Sequence, residues 1–365
     1  MTARAFTDDW DGLKVYDDEW ELHDAGEILA NTELYEDLQR KSGMLPERGL
    51  TVPQHVLFEV TGACNLNCSF CYNASGEGTP SLSDEEFVDA IAQIVELDTL
   101  EVIITGGEPL VRPDAVRAAV ETFEHFGIAV QILTNGLRVD REWADYFLEH
   151  GVLSVQVSID GADPEGHDEV RGKQGAWRSA VEAVGTLSSS GCFTIMAVVL
   201  TQQNHETLDD YIELAFAIGA DQVMIGDVMP RGRGVESLND VRITDDQYVD
   251  AVRRLRAKAR QYEGMMQVTL ASDEALALKM LLARTPSSLV VRTDGSVTAS
   301  CLLPVPLGNI EETPLRTIWS ESVANMSANP QVREFVAPLR VRGVGEESLL
   351  RVDHEAFTGP GGRHG

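Results

Sequence analysis

Long apolar runs are missing from this sequence. No stretch approaches the ~20 apolar residues that a membrane-spanning helix needs. The opening MTARAFTDDWDGLKVYDDEWE also lacks the charged-then-apolar pattern of a secretory signal. We therefore expect a cytoplasmic protein that has no membrane partner.

Lysine is scarce as well. The chain carries 59 acidic against 29 basic residues, a formal net charge of -30, and its only lysines are Lys14, Lys41, Lys173, Lys258 and Lys279. A charge of this sign repels phosphate backbones and anionic lipid, so we expect no nucleic-acid partner. A large acidic excess with little lysine is typical of proteins that work in concentrated salt, which predicts a halophilic source. The alternative is a mildly acidic cytosolic protein with an acidic tail, but the excess carboxylates run the length of the chain.

From residue 55 onward, short apolar runs alternate with amphipathic segments. This pattern predicts an α/β fold in which each parallel strand is followed by a covering helix. A helix over 83–97 has a clear start, because Ser83 can cap it and Glu86 follows three residues later. The loops that leave the strand ends contain Gly, Asn and Asp, so we expect the ligand site at that edge of the sheet. The six predicted strands span 55–60, 100–105, 128–134, 153–159, 193–200 and 222–228.

The chain divides into four predicted regions. Residues 1–50 form an acidic N-terminal segment with short helices around 25–41, and residues 51–262 form the barrel-like α/β domain. Residues 263–325 form a smaller α+β unit with a strand at 268–270, a helix near 272–283 and a hairpin that turns at Asp294-Gly295. Residues 326–365 are predicted to be a partly disordered tail with a glycine-rich end.

Cysteine is rare, but three of the five cysteines stand together in CNLNCSFCYNASG, residues 64–76. Cys64, Cys68 and Cys71 follow the first predicted strand directly. A disulfide framework is disfavoured because three is an odd number and the expected compartment is reducing. A structural zinc site needs a fourth ligand, and the strand direction carries His55 away from the loop. An iron–sulfur cluster with one iron left open needs three thiolates.

Together with Phe70 just before its last cysteine, this loop resembles the cluster motif of the radical S-adenosylmethionine (SAM) superfamily. TGGEP at 105–109, TNG at 134–136 and SIDG at 158–161 follow the second, third and fourth strands, as in that family. The resemblance implies a partial (β/α)6 TIM-like barrel with one [4Fe–4S] cluster on the three cysteines. It also implies that SAM chelates the open iron and is reductively cleaved to a 5′-deoxyadenosyl radical, which abstracts hydrogen from a substrate.

The resemblance also assigns SAM contacts. Gly106 and Gly107 would let backbone carbonyls reach the SAM amino group. Glu108 would add charge there, and Pro109 would stiffen the turn. Asn135, Ser158 and Asp160, at the ends of the later strands, would bind the ribose hydroxyls. A basic residue in DEVRGKQGAW would lie near the SAM carboxylate. Taken alone, each of these residues is equally typical of a turn or a solvated ion pair. The assigned residues are Phe70, Gly106, Gly107, Glu108, Pro109, Asn135, Ser158, Asp160 and Arg171.

The segments DEVRGKQGAW, MPRGRG at 229–234 and residues 289–319 resemble one branch of the superfamily. In this branch a C-terminal SPASM or twitch extension carries auxiliary iron–sulfur clusters. Its members modify peptides or tetrapyrroles, so the resemblance implies a substrate of one of these two kinds and a reductant such as ferredoxin or flavodoxin.

The C-terminal extension departs from that pattern. Five residues instead of four separate Gly295 from Cys301, and no cysteine follows Cys301. We therefore predict a degenerate SPASM-like cap that binds no metal, and a core position for Cys192. A competing hypothesis is a non-catalytic SAM-binding partner of another radical SAM protein, although the intact cysteine loop argues against it.

Overall fold

The structure, a computed structural model, describes most of the chain between residues 52 and 339. The described residues are 4–8, 12–16, 52–76, 78, 79, 81–271, 278 and 286–339, with the backbone alone for 4–8, 12–16, 238 and 239. The helices predicted around 25–41 and near 272–283, and the glycine-rich end, lie outside the described residues.

A ten-stranded sheet forms the centre of the molecule, with the strand order β12-β11-β10-β3-β4-β5-β6-β7-β8-β9. Neighbouring strands from β10 to β9 in this order are parallel. The order does not return to its starting strand, so among the described residues the barrel is open on one side. The strands are β3 (His55–Glu59), β4 (Glu101–Thr105), β5 (Ala129–Thr134), β6 (Ser154–Ser158), β7 (Thr194–Val199), β8 (Gln222–Gly226), β9 (Gln267–Leu270), β10 (Ser288–Val291), β11 (Ser296–Thr298) and β12 (Gly308–Asn309).

This sheet confirms the α/β fold class and all six predicted strands. It also contains two parallel strands beyond those six, because β9 pairs with β8 and β10 pairs with β3. Both lie in the region predicted as a separate α+β unit, and they form the two ends of the parallel run.

Helices connect the strands. Ser83 caps the first helix, since the Glu86 N–H donates to Ser83 Oγ (3.3 Å) and the Ser83 N–H donates to Glu86 Oε2 (2.7 Å), as the sequence predicts. The helices are α1 (Asp84–Leu97), α2 (Pro113–His125), α3 (Arg141–Glu149), α4 (Pro164–Arg171), α5 (Ala176–Ser190), α6 (Leu208–Ala217), α7 (Arg233–Val241), α8 (Asp245–Gln261), α9 (Leu315–Thr317) and α10 (Pro330–Val336). None of the helices in the described part of the chain is both long and apolar enough to cross a bilayer.

The core lies between the helices and one face of the sheet. Val56 and Phe58 alternate with half-buried residues along β3, and the Phe58 ring stacks on Phe87 of α1 at a centroid distance of 5.4 Å. Burying each such side chain contributes roughly 1.5–3 kcal/mol. The core therefore fixes the strands, and the strands fix the positions of the loops at their carboxyl ends.

The C-terminal region adds an antiparallel extension to this sheet. Strand β10 turns at Asp294-Gly295 into β11, with Gly295 at φ +74°, so the predicted hairpin is confirmed. Helix α10 buries Val332 and Val336, and it falls in the stretch predicted as a tail. Near the other end of the chain, β1 (Arg4–Asp8) and β2 (Gly12–Tyr16) form an antiparallel hairpin that the sequence analysis did not predict.

Candidate functional site

The three clustered cysteines lie in the loop that follows β3, at the carboxyl edge of the parallel strands. Cys64, Cys68 and Cys71 belong to one small apolar cluster with Leu66 and Ala176. Cys68 is buried and the other two are half-buried. The fold thus brings together the three thiols that the sequence singled out.

The chemistry of these thiols suits a multi-iron group. Burial raises the pKa of Cys64 to about 11 and raises that of Cys68, so both are protonated at neutral pH unless a cation binds them. Cys64, Cys68 and Cys71 lie in one cluster of the structure. Three cysteine thiolates are the donor set that holds a [4Fe–4S] cluster and leaves one of its irons open.

The cysteine loop is held by the end of α4. The Asn67 N–H donates to the carbonyl of Arg171 (3.3 Å), and the Ser69 N–H donates to the carbonyl of Val170 (2.9 Å). These bonds satisfy carbonyls that a helix end leaves free, and they fix the loop on both sides of Cys68.

A second contact comes from Arg233, a residue that the sequence analysis did not assign. Its side chain donates from Nε to the carbonyl of Cys68 (2.7 Å) and from Nη1 to the carbonyl of Ser75 (2.9 Å). Its backbone N–H donates to the carbonyl of Cys71 (3.0 Å). The segment MPRGRG contained this residue, but only the fold brings it to the cysteine loop.

Two of the residues predicted to bind SAM form a buried ion pair. Arg171 Nε lies 2.5 Å from Asp160 Oδ2, and Arg171 Nη1 lies 3.7 Å from Cys68 Sγ. The other carboxylate oxygen of Asp160 accepts from the Val199 N–H (3.0 Å). The Arg171 guanidinium also lies 5.8 Å from the centre of the Phe70 ring. Arg171 therefore connects the strand ends to the cysteine loop.

Glu108 joins the ends of β4 and β5. Its Oε1 accepts from Thr134 Oγ1 (2.7 Å) and from the Leu110 N–H (3.1 Å), and its Oε2 accepts from the Asn135 N–H (2.7 Å). Burial raises the pKa of Glu108, and the bond from the Asn135 backbone opposes that rise. Asn135 in turn donates from Nδ2 to Asn65 Oδ1 (2.7 Å), next to Cys64.

The glycine pair of TGGEP lies against the backbone that enters the cysteine loop. A Cβ at Gly106 would lie 2.4 Å from the carbonyl oxygen of Thr61, and one at Gly107 would lie 2.2 Å from that of Ala63. Gly106 also has φ +142°, which side chains rarely adopt. The fold itself thus requires both glycines, which gives a second reason for them besides the predicted approach to SAM.

The remaining predicted contacts lie at the same edge. Pro109 is buried and begins a 3-10 turn over Pro109–Val111, and Ser158 is half-buried at the end of β6. A groove of about 660 Å³ runs beside Cys64, and among the described residues that line it only Arg138 and Lys173 carry a charge.

The other two cysteines do not belong to this cluster. Cys192 is buried in the core, as predicted, where its thiol donates to the carbonyl of Ala144 (3.3 Å). Cys301 lies in the C-terminal region, and its carbonyl accepts hydrogen bonds from Arg231 and Arg292.

Comparison with known proteins agrees with this geometry. Residues 58–215 match the family model described as the radical SAM superfamily. The chain is similar to mycofactocin maturase MftC of Mycolicibacterium smegmatis, with 38% identity over 204 residues, 55% of this chain and 51% of the relative. It is also similar to the AdoMet-dependent heme synthase of Methanosarcina barkeri, with 28% identity over 293 residues, 74% of this chain and 83% of the relative.

Solved structures share the fold. The crystal structure of Streptococcus suis SuiB bound to the precursor peptide SuiA superposes with a TM-score of 0.64 at 12% identity, over 90% of this chain and 89% of that chain. The chain spans about half the length of the mycofactocin maturases that it matches, 51% in the M. smegmatis case.

Proposed function

We propose that this chain, which carries a radical SAM domain, is an enzyme that binds one [4Fe–4S] cluster and SAM and cleaves SAM reductively. The observation that carries this proposal is the meeting of Cys64, Cys68 and Cys71 at the carboxyl edge of the sheet. When bound, the cluster and SAM supply a 5′-deoxyadenosyl radical that removes hydrogen from a substrate.

The residues of the chain hold and orient these groups. The three thiolates bind the cluster, and Arg171 faces Cys68 Sγ, where its positive charge favours the thiolate. Asn135 and Asp160, at the ends of neighbouring strands, are the proposed partners of the SAM ribose. The Asp160 carboxylate is fully buried and accepts from Arg171 and from the Val199 N–H, so a ribose hydroxyl would reach it only if one of these contacts opened.

The proposed substrate is a peptide or a tetrapyrrole. The similarity to a mycofactocin maturase and to a heme synthase supports this choice. Because no cysteine follows Cys301, we propose that the C-terminal extension holds no auxiliary cluster.

The proposed electron donor is a small acidic protein such as ferredoxin or flavodoxin. The groove beside Cys64 supports this, because both charged residues described along it, Arg138 and Lys173, are cations in a chain of net charge -30. Thiols that must stay reduced also fit a reducing compartment such as the cytoplasm.

We further propose that the chain is adapted to concentrated salt. Its excess carboxylates repel one another until counterions screen them, and the screening length falls to about 3 Å at 1 M salt. Thermal unfolding in low and in molar potassium chloride tests this. We expect a higher midpoint in molar salt, and an unchanged or lower midpoint would contradict the proposal.

SAM cleavage itself is tested without any substrate. Anaerobically reconstituted protein given dithionite and SAM should slowly form 5′-deoxyadenosine, and the Cys68→Ala variant should form none. If cluster-loaded wild-type protein binds SAM but releases no 5′-deoxyadenosine, even with cell extract as a source of substrates, the chain is a non-catalytic SAM-binding partner.

A further inference from the structure

A second polar cluster lies beside the cysteine loop, on the open side of the barrel. Glu59 ends β3, and Arg292 directly follows β10, which pairs with β3. Arg231 follows β8, yet its Nη1 reaches the carbonyl of Cys301 (2.5 Å) in the C-terminal region. The segment around Arg231 therefore crosses the opening between the two ends of the parallel run.

The two arginines are held close together. Arg231 Nη1 and Arg292 Nη2 both donate to the carbonyl oxygen of Cys301, at 2.5 and 3.3 Å. The pKa of Arg231 is lowered by burial and also by the charge of Arg292. Two guanidinium groups this close repel each other unless an anion, from the protein or from a bound ligand, lies between them.

One carboxylate, Glu59, does not balance this pair. Arg292 Nη1 lies 3.2 Å from Glu59 Oε1, and the charge of Arg231 acts on the same carboxylate from further away, so two positive charges face one negative charge. Arg292 Nε is buried and has no hydrogen-bond partner in the described structure, whereas the Glu59 carboxylate also faces the Asn73 side chain and the Thr293 backbone. Arg292 is 6% exposed and Glu59 is 1% exposed, so solvent does not satisfy them.

Arg231 keeps donors available for a ligand. Within the described residues its side chain donates from Nη1 alone, to the carbonyls of Cys301 and Leu303. Its side chain is half-buried and so provides access to the cluster from outside. A guanidinium group with free donors beside a second guanidinium suits a carboxylate, which accepts two hydrogen bonds at once.

This cluster is next to the proposed radical site. Tyr72 follows Cys71, and its hydroxyl donates to Glu59 Oε1 (3.5 Å). Gly232 packs on the same stretch, since a Cβ there would lie 2.5 Å from the carbonyl oxygen of Cys71. A ligand held by the arginines would therefore lie against the loop that carries the cluster cysteines.

We propose that Arg231, beside the buried positive charge of Arg292, binds a carboxylate group of the substrate. The proposal rests on the proposed function, since it assigns this chemistry to the substrate of the same site. The carboxylate has two possible sources, the C-terminus of a peptide or a propionate side chain of a tetrapyrrole, and both present the same group to the arginine pair.

Propionate is the simplest probe of the arginine pair. Saturation-transfer NMR on the anaerobically reconstituted chain, in the lowest salt that keeps it folded, should detect saturable binding of propionate and none of the neutral analogue propionamide. Arg231→Gln should weaken propionate binding at least tenfold, and Arg231→Lys should weaken it less because the charge remains. Arg178→Gln, which removes an exposed arginine of α5, should leave binding unchanged.

The source of the carboxylate is tested by competition. Displacement of propionate by coproporphyrin III alone assigns a propionate side chain. Displacement by tetraalanine with a free C-terminus, but not by its C-terminal amide, assigns a peptide terminus. Displacement by both means that the arginine pair binds a carboxylate of either source.

Several results would overturn the inference. They are the absence of saturable propionate binding, equal binding in Arg231→Gln protein that melts like wild type, and displacement by neither competitor. Because binding is measured without SAM cleavage, protein that forms 5′-deoxyadenosine but binds no propionate refutes this inference alone. Protein that binds propionate but never cleaves SAM refutes the proposed function instead.

Discussion

The cysteine loop follows the parallel strand β3, the segment around Cys301 follows the antiparallel strand β11, and the cysteines of the two are used differently. In the first, other elements hold the backbone, through Arg233 and the carbonyls at the end of α4, and the three thiols are left to converge. In the second, the backbone carbonyl of Cys301 is the contact point for two arginines. At Cys301 the main chain therefore makes contacts in addition to those of the thiol, which faces the Tyr72 side chain.

The sharpest test of this contrast is the iron content. We expect about four iron and four sulfide per chain after anaerobic reconstitution, because one complete set of thiolates is present. Cys68→Ala should lose the cluster entirely, and Cys301→Ala should keep it, as measured by metal and sulfide analysis. Eight irons per wild-type chain, or iron loss in the Cys301 variant, would mean that the C-terminal region also binds a cluster.

The link between the strand ends and the cysteine loop is tested at Arg171. Arg171→Met leaves the Asp160 carboxylate buried without its partner, which should lower the free energy of unfolding by about 3–5 kcal/mol. Denaturant unfolding of the cluster-free protein measures this. Arg141→Met removes an exposed pair with Asp145 and should change stability little. Similar losses in both variants would refute the special role of Arg171.

The close packing of TGGEP on the cysteine loop is tested at Gly107. Gly107→Ala puts a methyl group into the backbone of Ala63 and should destabilise the fold by about 1–3 kcal/mol. Gly185→Ala, in helix α5, meets nothing within 4 Å and should stabilise by about 0.5–1 kcal/mol. If Gly107→Ala protein has the same denaturant midpoint as wild type, residue 107 does not pack tightly against the backbone of Ala63.

The smallest expected effect concerns the groove beside Cys64. A double variant, Arg138→Glu with Lys173→Glu, should reduce the rate of cluster reduction by reduced flavodoxin about tenfold at low salt. Reduction by dithionite, followed by the loss of visible absorbance, should stay within twofold. Arg178→Glu is the matched control for an exposed arginine elsewhere. Equal slowing with both reductants would show a damaged cluster instead of a lost docking surface.

Local patterns predicted much of this architecture. The six strands and the Ser83 capping box depend on neighbouring residues, as does the Asp294-Gly295 turn, so the sequence reveals them. The pairing of β10 with β3 could not be predicted, because strands 288–291 and 55–59 have no local signal that names a partner. Arg233 was missed for the same reason, since its contact with Cys68 joins residues that are 165 positions apart.

The same long separation between Arg233 and Cys68 constrains how the protein is made. A growing chain that has emerged only as far as α6 already contains all three cluster cysteines, but it lacks the residue that holds the carbonyls of Cys68 and Ser75. Contacts between distant parts of a chain form late, because the intervening chain must first be ordered. The cysteine loop should therefore reach its final shape only after the sixth barrel strand has been synthesised and docked, and iron delivered to a shorter nascent chain would meet thiols that are not yet held in place.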